Sequence, residues 1–436
     1  MTIDEDTVGQ LVRRLDEEPR SASRVDVARA MNDGRRLRRV HRVALPAAAA
    51  AAVAAIAIAV PFALGGATGT GAPTAAGKTP TKTATAVSPP VTAPSVTAIP
   101  TYQPAAPPPS RAGAPPVPTS CTGRFLPLPQ GVGAAIITDG DSTGRYLVGY
   151  ATDRAHTYQP ILWTDGTPTL LDADASYGPP VVNSHGEVAG SGLSVTGTTV
   201  EWVAWTYGDG TVTRLLHGDT SYMVAGINDN GDVLALPMPQ FEDGTQDPPF
   251  VPLAPVVLNG DNVRHLDSVP DADATDFQGS IDNDGTVVGG ANQSGNAYVW
   301  DPQGHISQLA GPSAYSYASS IRNGFVLGGS GRDNPDLPGL FLAARWDLGT
   351  GKAKSFHDVT LSAAATITSN GWFAGNNDKG PVAVFGDTVR QLPRVPGAVD
   401  WTQFAFAATM SDDGHIIGGQ ADRTANDIGA VEWTCH

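Results

Sequence analysis

Cysteine is nearly missing from this chain: Cys121 and Cys435 are the only two in 436 residues. Two thiols cannot supply the four-ligand clusters of structural zinc domains or the dense bridging of small secreted scaffolds. Charged residues make up only 16% of the chain and aromatic residues 7%, and the acidic side chains outnumber the basic ones to leave a formal charge of -16. A surface of that sign repels phosphate backbones and anionic headgroups, so no nucleic-acid partner is expected for the bulk of the chain. Helical apolar periodicity is absent beyond residue 121, which removes bundles and doubly wound α/β folds. What is plentiful is Gly and Pro, 50 and 36 residues. At this length several domains or one large modular domain are expected.

The N-terminal part divides by composition. Residues 1–42 are charged and carry two short helical patterns, and five arginines (Arg35, Arg36, Arg38, Arg39, Arg42) precede an uncharged stretch from Val43 to Leu64. A helix over that stretch reaches about 33 Å, enough to cross a bilayer core, and the arginines set its N-terminus inside. Residues 1–42 are therefore expected to be a cytoplasmic tail and 43–64 a transmembrane signal anchor. Its alanine-rich composition, with Pro46 and Pro61, keeps a cleaved signal sequence as the alternative. Residues 65–120 are Ala-, Pro- and Thr-rich without an apolar period, which predicts a disordered stalk.

After Cys121 one module returns. It comprises a short apolar strand, a polar turn closing on Gly, a strand reading V-x-G, a variable loop, a strand ending in a large apolar residue, a hairpin and a strand ending in Leu. The turn glycines are Gly144, Gly186, Gly231, Gly285, Gly324, Gly371 and Gly414, and the third-strand anchors are Trp163, Trp205, Leu258, Trp300, Trp346, Phe385 and Trp433. A period of roughly 40 to 50 residues with four strands per repeat is that of propeller blades. The expectation is an all-β, seven-bladed β-propeller of four-stranded blades over 121–436. The glycines of the V-x-G strands, Gly149 and Gly328 among them, are expected to allow close packing near a central channel.

The ends of this region complement each other. The last repeat stops at Trp433-Thr434-Cys435-His436, whereas the first begins with a lone strand at Cys121-Thr122-Gly123-Arg124-Phe125. Joining them restores a missing hairpin, so the first strand should complete the last blade, with a Cys121–Cys435 disulfide across the junction. That bond requires an oxidising compartment, and therefore export.

The repeat, best seen in Ala225-Gly226-Ile227-Asn228-Asp229-Asn230-Gly231, Ser280 to Gly290 and Ala408 to Gly418, resembles the HAF-type repeats of bacterial extracellular proteins. That resemblance implies an exported propeller and carries no catalytic residues with it. The tail, arginine block and alanine-rich span resemble those of actinobacterial single-pass membrane proteins.

Candidate chemistry is sparse. The Asp-rich turns lack the spacing and terminal Glu of an EF-hand loop, and Asp and Asn are what tight turns prefer. No cofactor, metal or catalytic residue is assigned. The anchoring tryptophans are read as blade packing. A propeller places its strand-two to strand-three loops and its blade links on one face, and 236–254, 330–340 and 420–429 are the long ones. Binding usually resides on such loops, and the candidate face comprises Asp172, Asp174, Tyr177, Tyr222, Glu242, Asp271, Asp273, Tyr315, Asp333 and Trp401. Acidic groups among aromatics suit a cationic protein patch, a metal ion or a sugar-bearing polymer. The functional expectation is a membrane-anchored extracellular binding or sensing module for a protein or cell-envelope polymer. The alternatives are an enzyme with its site at the channel mouth, or a transmembrane regulator whose residues 1–42 bind a sigma factor.

Overall fold

The computed structural model describes residues 99–436, apart from 105–112, 154–157, 174–177, 197–198, 216–219, 240, 243–251, 274–276, 292–294, 314, 332–340, 363–364, 400 and 425–426. The expected tail, membrane span and residues 65–98 lie outside the described residues. Among those described, no helix is long and apolar enough to cross a membrane.

Each repeat folds as a meander because its turns are built for tight reversal. The turn glycines Gly144, Gly186, Gly231, Gly285, Gly324, Gly371 and Gly414 all adopt positive φ, between 69° and 85°, where an L side chain is disfavoured. Val132–Gly140, Tyr146–Asp153, Tyr158–Thr164 and Thr167–Leu170 form the first antiparallel sheet in simple order. The second is Val181–Val182, Val188–Thr196, Thr199–Gly208 and Thr211–Arg214, joined along its third strand by Phe241–Glu242. The third runs Ser221–Ile227, Val233–Met238, Val256–Asn259 and Asn262–His265. The fourth runs Phe277–Ile281, Val287–Ala291, Tyr298–Trp300 and Ile306–Gln308. From Ser316 to Gln391 the strands form a single seven-stranded sheet, whose two parts are linked through one pair, Thr360–Asn376.

The last sheet comprises Phe406–Met410, Ile416–Thr424 and Asp427–Cys435, and its fourth strand is Cys121–Phe125 from the start of the domain. The register runs from Cys121 opposite Cys435 to Phe125 opposite Val431. The two sulfurs are bonded, 2.08 Å apart. The expected closure and disulfide are therefore present.

The apolar core lies between sheets, one layer per junction. Val148 and Leu162 of the first sheet meet Val188 and Trp205 of the second, and Ala204 of the second meets Val224 and Leu258 of the third. Leu236 of the third packs with Trp300 of the fourth, and Val299 of the fourth with Trp346. The series ends where Ala430 of the last sheet joins Ile137 and Trp163 of the first. A chain of sheets whose last member packs on its first is a closed ring, a β-propeller. All the predicted anchors are buried: Trp163, Trp205, Leu258, Trp300, Trp346, Phe385 and Trp433 are each at most 4% exposed. Four of the indoles donate their Nε1–H to a backbone carbonyl in the link before their own sheet: Trp163 to Pro127, Trp300 to Asp267, Trp346 to Ala310 and Trp433 to Pro393, at 2.8–3.0 Å.

Three expectations change. For Gly149 and Gly328 the close packing is against the backbone of a neighbouring strand: a Cβ on Gly149 would lie 1.8 Å from the Ile136 carbonyl oxygen, and one on Gly328 1.8 Å from that of Tyr317. Both carbonyls sit beside a bulge in the first strand of their sheet, where local twist pushes backbone toward the partner strand. The supposed long loop at 420–429 is mostly strand, since Ile416–Thr424 and Asp427–Cys435 pair almost to their tips.

The third change concerns the stalk. Residues 99–104 lie along the outer edge of the fourth sheet: Gln308 N–H donates to the Pro100 carbonyl and Tyr102 N–H to the Gln308 carbonyl, both at 2.8 Å. Residues 113–120 likewise reach the ring, with Ser120 and His436 exchanging backbone hydrogen bonds and Arg390 donating to the Pro118 carbonyl. A few apolar contacts and edge hydrogen bonds offset the ordering entropy that composition alone leaves unmatched.

Closure makes a stability prediction. Alkylation of the native protein without reductant should modify neither Cys121 nor Cys435, and the double Cys121→Ser, Cys435→Ser variant should lose up to roughly 5 kcal/mol of unfolding free energy in a denaturant titration. Equal stability of variant and parent would show that strand pairing alone closes the ring.

Candidate functional site

The turns that begin each meander meet around one end of the ring. At the third position before the turn glycine stand Asp141, Asn183, Asn228, Asp282, Thr368 and Ser411, all buried. Most use their side chains to close their own turn. Asn228 Oδ1, for example, accepts from the N–H groups of Asn230 and Asp232 at 3.0 and 2.9 Å.

The same turns are also stitched to one another. Asn183 Nδ2 donates to the Asn228 carbonyl, and Asn228 Nδ2 to that of Asp282, both at 3.0 Å. Asp282 accepts the N–H groups of Asn323 and Gly324 at 3.0 and 2.8 Å. Asn323 Nδ2 donates to the Ser369 carbonyl, Ser369 N–H to Asp412 Oδ1, and Asp412 N–H to the Ser142 carbonyl. From the second sheet onward, each turn holds the next. The sequence marks these residues as turn formers; their second role follows from the ring bringing equivalent turns side by side.

One residue breaks the pattern. At the position occupied elsewhere by Ser142, Ser184, Asp229, Asn283, Ser369 and Asp412 stands Arg322. Its Nη1 lies 3.5 Å from Asp412 Oδ1, an ion-pair distance without a hydrogen bond. Its charge also acts on Asp139 of the first sheet and Asp229 of the third. A single guanidinium thus acts on carboxylates from three separated sheets. The lone cation among serines and acidic or amide residues was the available sequence signal for it.

The electrostatics follow from burial. Burial pushes the Asp139 carboxyl up to about 6, against hydrogen bonds from the Val182 and Gly140 N–H groups and the field of Arg322. Asp229 also feels burial, but hydrogen bonds from Ser184 and Asn283 and the Arg322 charge outweigh it and hold the group below the usual carboxylate range. Among the described residues no group of three or more His, Cys, Asp or Glu side chains is placed to hold a metal ion.

The candidate binding residues are dispersed. Asp172 is exposed and lines a groove of about 380 Å³ between the outer strands of the first two sheets. Tyr315 is 60% exposed, against Gly295 at the link into the fifth meander. Glu242 pairs in backbone register with Thr199, and Asp271 and Asp273 lie in a strand, Val269–Asp273, that pairs with Pro252–Leu253. Asp174, Tyr177 and Asp333 lie outside the described residues.

Two candidates are corrected. Trp401 is 8% exposed and meets Trp433 edge to face at 6.1 Å, in the layer between two sheets. Tyr222 is 5% exposed within another such layer. Trp401 lies in an inter-sheet link and Tyr222 in the first strand of the third sheet, and at either place an aromatic beside a packing layer gains more by burial than by exposure.

No family model matches the chain, so the HAF-type resemblance has no such match behind it, and no curated protein matches either. Similar solved structures include virginiamycin B lyase from Staphylococcus aureus, at 14% identity and TM-score 0.46, with 72% of this chain and 99% of that chain covered. The β-propeller domain of the Trilobed protease from Pyrococcus furiosus aligns at 11% identity and TM-score 0.47, covering 69% of this chain and 94% of that one. The RRP9 WD40 repeats align at 11% identity and TM-score 0.46, covering 72% and 98%. At these values the likenesses assign no substrate or activity to this chain.

The buried carboxyl sets a pH dependence. An Asp139 value near 6 in the fold, above 3.8 in the open chain, means that the folded state holds this proton more tightly. Its contribution is fully present below about pH 4 and is lost as pH rises to about 6, by about 3 kcal/mol. Asp139→Asn should remove that slope from unfolding free energies measured between pH 4 and 7, and Arg322→Gln should move it to higher pH. An unchanged slope in both variants would refute the assignment.

Proposed function

We propose that this chain is a seven-bladed β-propeller displayed outside the cell by a single N-terminal membrane span, where it acts as a binding or sensing module for a protein or cell-envelope polymer. The count of seven takes the sheet from Ser316 to Gln391 as two consecutive blades joined only at Thr360–Asn376.

The observation that carries the extracellular reading is the bond between Cys121 and Cys435. A structural disulfide that locks a ring persists in an oxidising compartment, and export is what the arginine block followed by residues 43–64 would deliver. The charge pattern of residues 1–42 alone supports a cytoplasmic partner such as a sigma factor.

The enzyme reading asks for titratable groups from different blades that are free to act. Asp139, Asp229, Asp412 and Arg322 do converge, but the carboxylates are already committed. Asp139 accepts from the N–H groups of Gly140 and Val182 at 2.8 and 2.9 Å, Asp229 from Ser184 N–H and Asn283 Nδ2 at 2.8 Å, and Asp412 from Ser369 N–H at 2.8 Å. Such groups hold structure and are poor general bases. The binding reading is therefore preferred, with contact residues drawn from the opposite face, Tyr315 among them.

Protease added to intact cells should release propeller fragments while leaving residues 1–42 protected, as read by antibodies to each end. Protection of both ends would place the ring inside. Isolated cell-wall fragments should pellet the protein, with retention falling about tenfold for Tyr315→Ala, the loss expected of an aromatic anchor.

A further inference from the structure

The segment at residues 99–104 shows what one part of this ring can hold. Pro100 and Tyr102 bracket Gln308 in a parallel pairing along the outer edge of the fourth sheet. Ile99 rests on one interlayer core and Tyr102 on the next. The Tyr102 hydroxyl donates to the Leu348 carbonyl, at 3.2 Å, in the outer hairpin of the following sheet. An extended, proline-containing strand thus adds to a sheet edge and leans on its neighbour, as in β-augmentation.

The same frame exists at the edge of the first sheet. Leu309, which follows Gln308, donates its N–H to the Ala297 carbonyl at 2.8 Å, and Leu171, which follows Leu170, donates to that of Pro160 at 2.9 Å. Leu170 pairs with Ile161 as Gln308 pairs with Tyr298. It therefore occupies the register position of Gln308, and antiparallel alternation turns its N–H and C=O outward. Beside it runs the groove of about 380 Å³, bounded by Leu170 and Leu171 on one side and by Tyr207 and Val212 of the next sheet on the other.

A second observation sets this junction apart. At the filled junction Trp346 donates its Nε1–H to the Ala310 carbonyl at 2.9 Å. Its counterpart Trp205 is 1% exposed, and its Nε1–H has no acceptor among the described residues. Among the described residues, the link after the first sheet does not accept from the indole as the links before Trp163, Trp300, Trp346 and Trp433 do. Where the filled junction has Ala310, this one has the exposed carboxylate of Asp172.

We propose that the Thr167–Leu170 edge is a second strand-docking site, which takes in trans an extended, proline-containing peptide of a partner protein that carries a Lys or Arg opposite Asp172. The peptide's backbone brackets Leu170, its apolar side chains cover Leu171 and Val212, and its base meets the carboxylate. Proline lowers the ordering cost of such a strand before it binds. This site lies on the rim and stands whether or not the long-loop face binds a ligand.

The test uses the full-length protein and a fluorescent peptide, Ala-Ile-Pro-Thr-Tyr-Lys-Pro, which copies residues 98–104 with Gln103→Lys. Anisotropy should show saturable binding, with the Leu170 amide gaining hydrogen-exchange protection. Leu170→Pro removes the outward donor without breaking a ladder bond, and Asp172→Lys reverses the charge; each should weaken binding about tenfold. A peptide with Glu in place of Lys should lose affinity for the parent protein and recover it on Asp172→Lys. The proposal is overturned by absence of saturable binding, by binding indifferent to both variants, or by binding lost only on Gln308→Pro, which would mean exchange with the chain's own segment. The Asp172→Lys result keeps the test decisive if Leu170→Pro fails to fold.

Discussion

Each sheet in this ring packs against two neighbours, so the fold depends on the place where the two ends of the chain must meet. Without the pairing of Cys121–Phe125 with Asp427–Cys435, the last sheet would end in a bare edge. The layer in which Ala430 joins Ile137 and Trp163 would then lack a fixed partner. Open sheet edges invite pairing with other chains, and closure is the general remedy. The disulfide adds a covalent limit on how far the ends can part, while the cooperative term remains the packing between successive sheets.

That packing also explains the division between the two faces. The turn end is consumed by mutual hydrogen bonding, with Asn183, Asn228, Asp282 and Asp412 each reaching a neighbouring turn. Arg322 moderates carboxylates that this crowding buries. A face built that way fixes the angle between sheets and leaves little polar capacity for a ligand. Freedom to vary is left to the opposite links and to the outer rim.

The architecture was legible because it repeats. A glycine at each turn and a large apolar residue at each third strand occur at one period, and each is demanded by local physics, positive φ in one case and burial between sheets in the other. What was not legible comes from single positions. Trp401 sits in a link and Tyr222 near the start of a strand, and nothing in their immediate sequence distinguishes a side chain turned into the packing layer from one turned to solvent. Arg322 matters only because the ring brings Asp139, Asp229 and Asp412 within its field. Ile99 and Tyr102 are hidden in a Pro- and Thr-rich stretch whose average composition outweighs two apolar residues, yet those two find ready surfaces on the ring.

The seated segment also changes how the domain would respond to tension. A pull on the chain before residue 99 arrives first at the edge strand Ile306–Gln308, through the two hydrogen bonds at Gln308, and not at the disulfide-locked junction. The segment would peel before the ring is disturbed. Residues 99–104 would then leave the sheet edge while the strand Cys121–Phe125 stayed locked in the last sheet. The edge contact at Gln308 thus acts as a release point that can open with the folded ring unchanged.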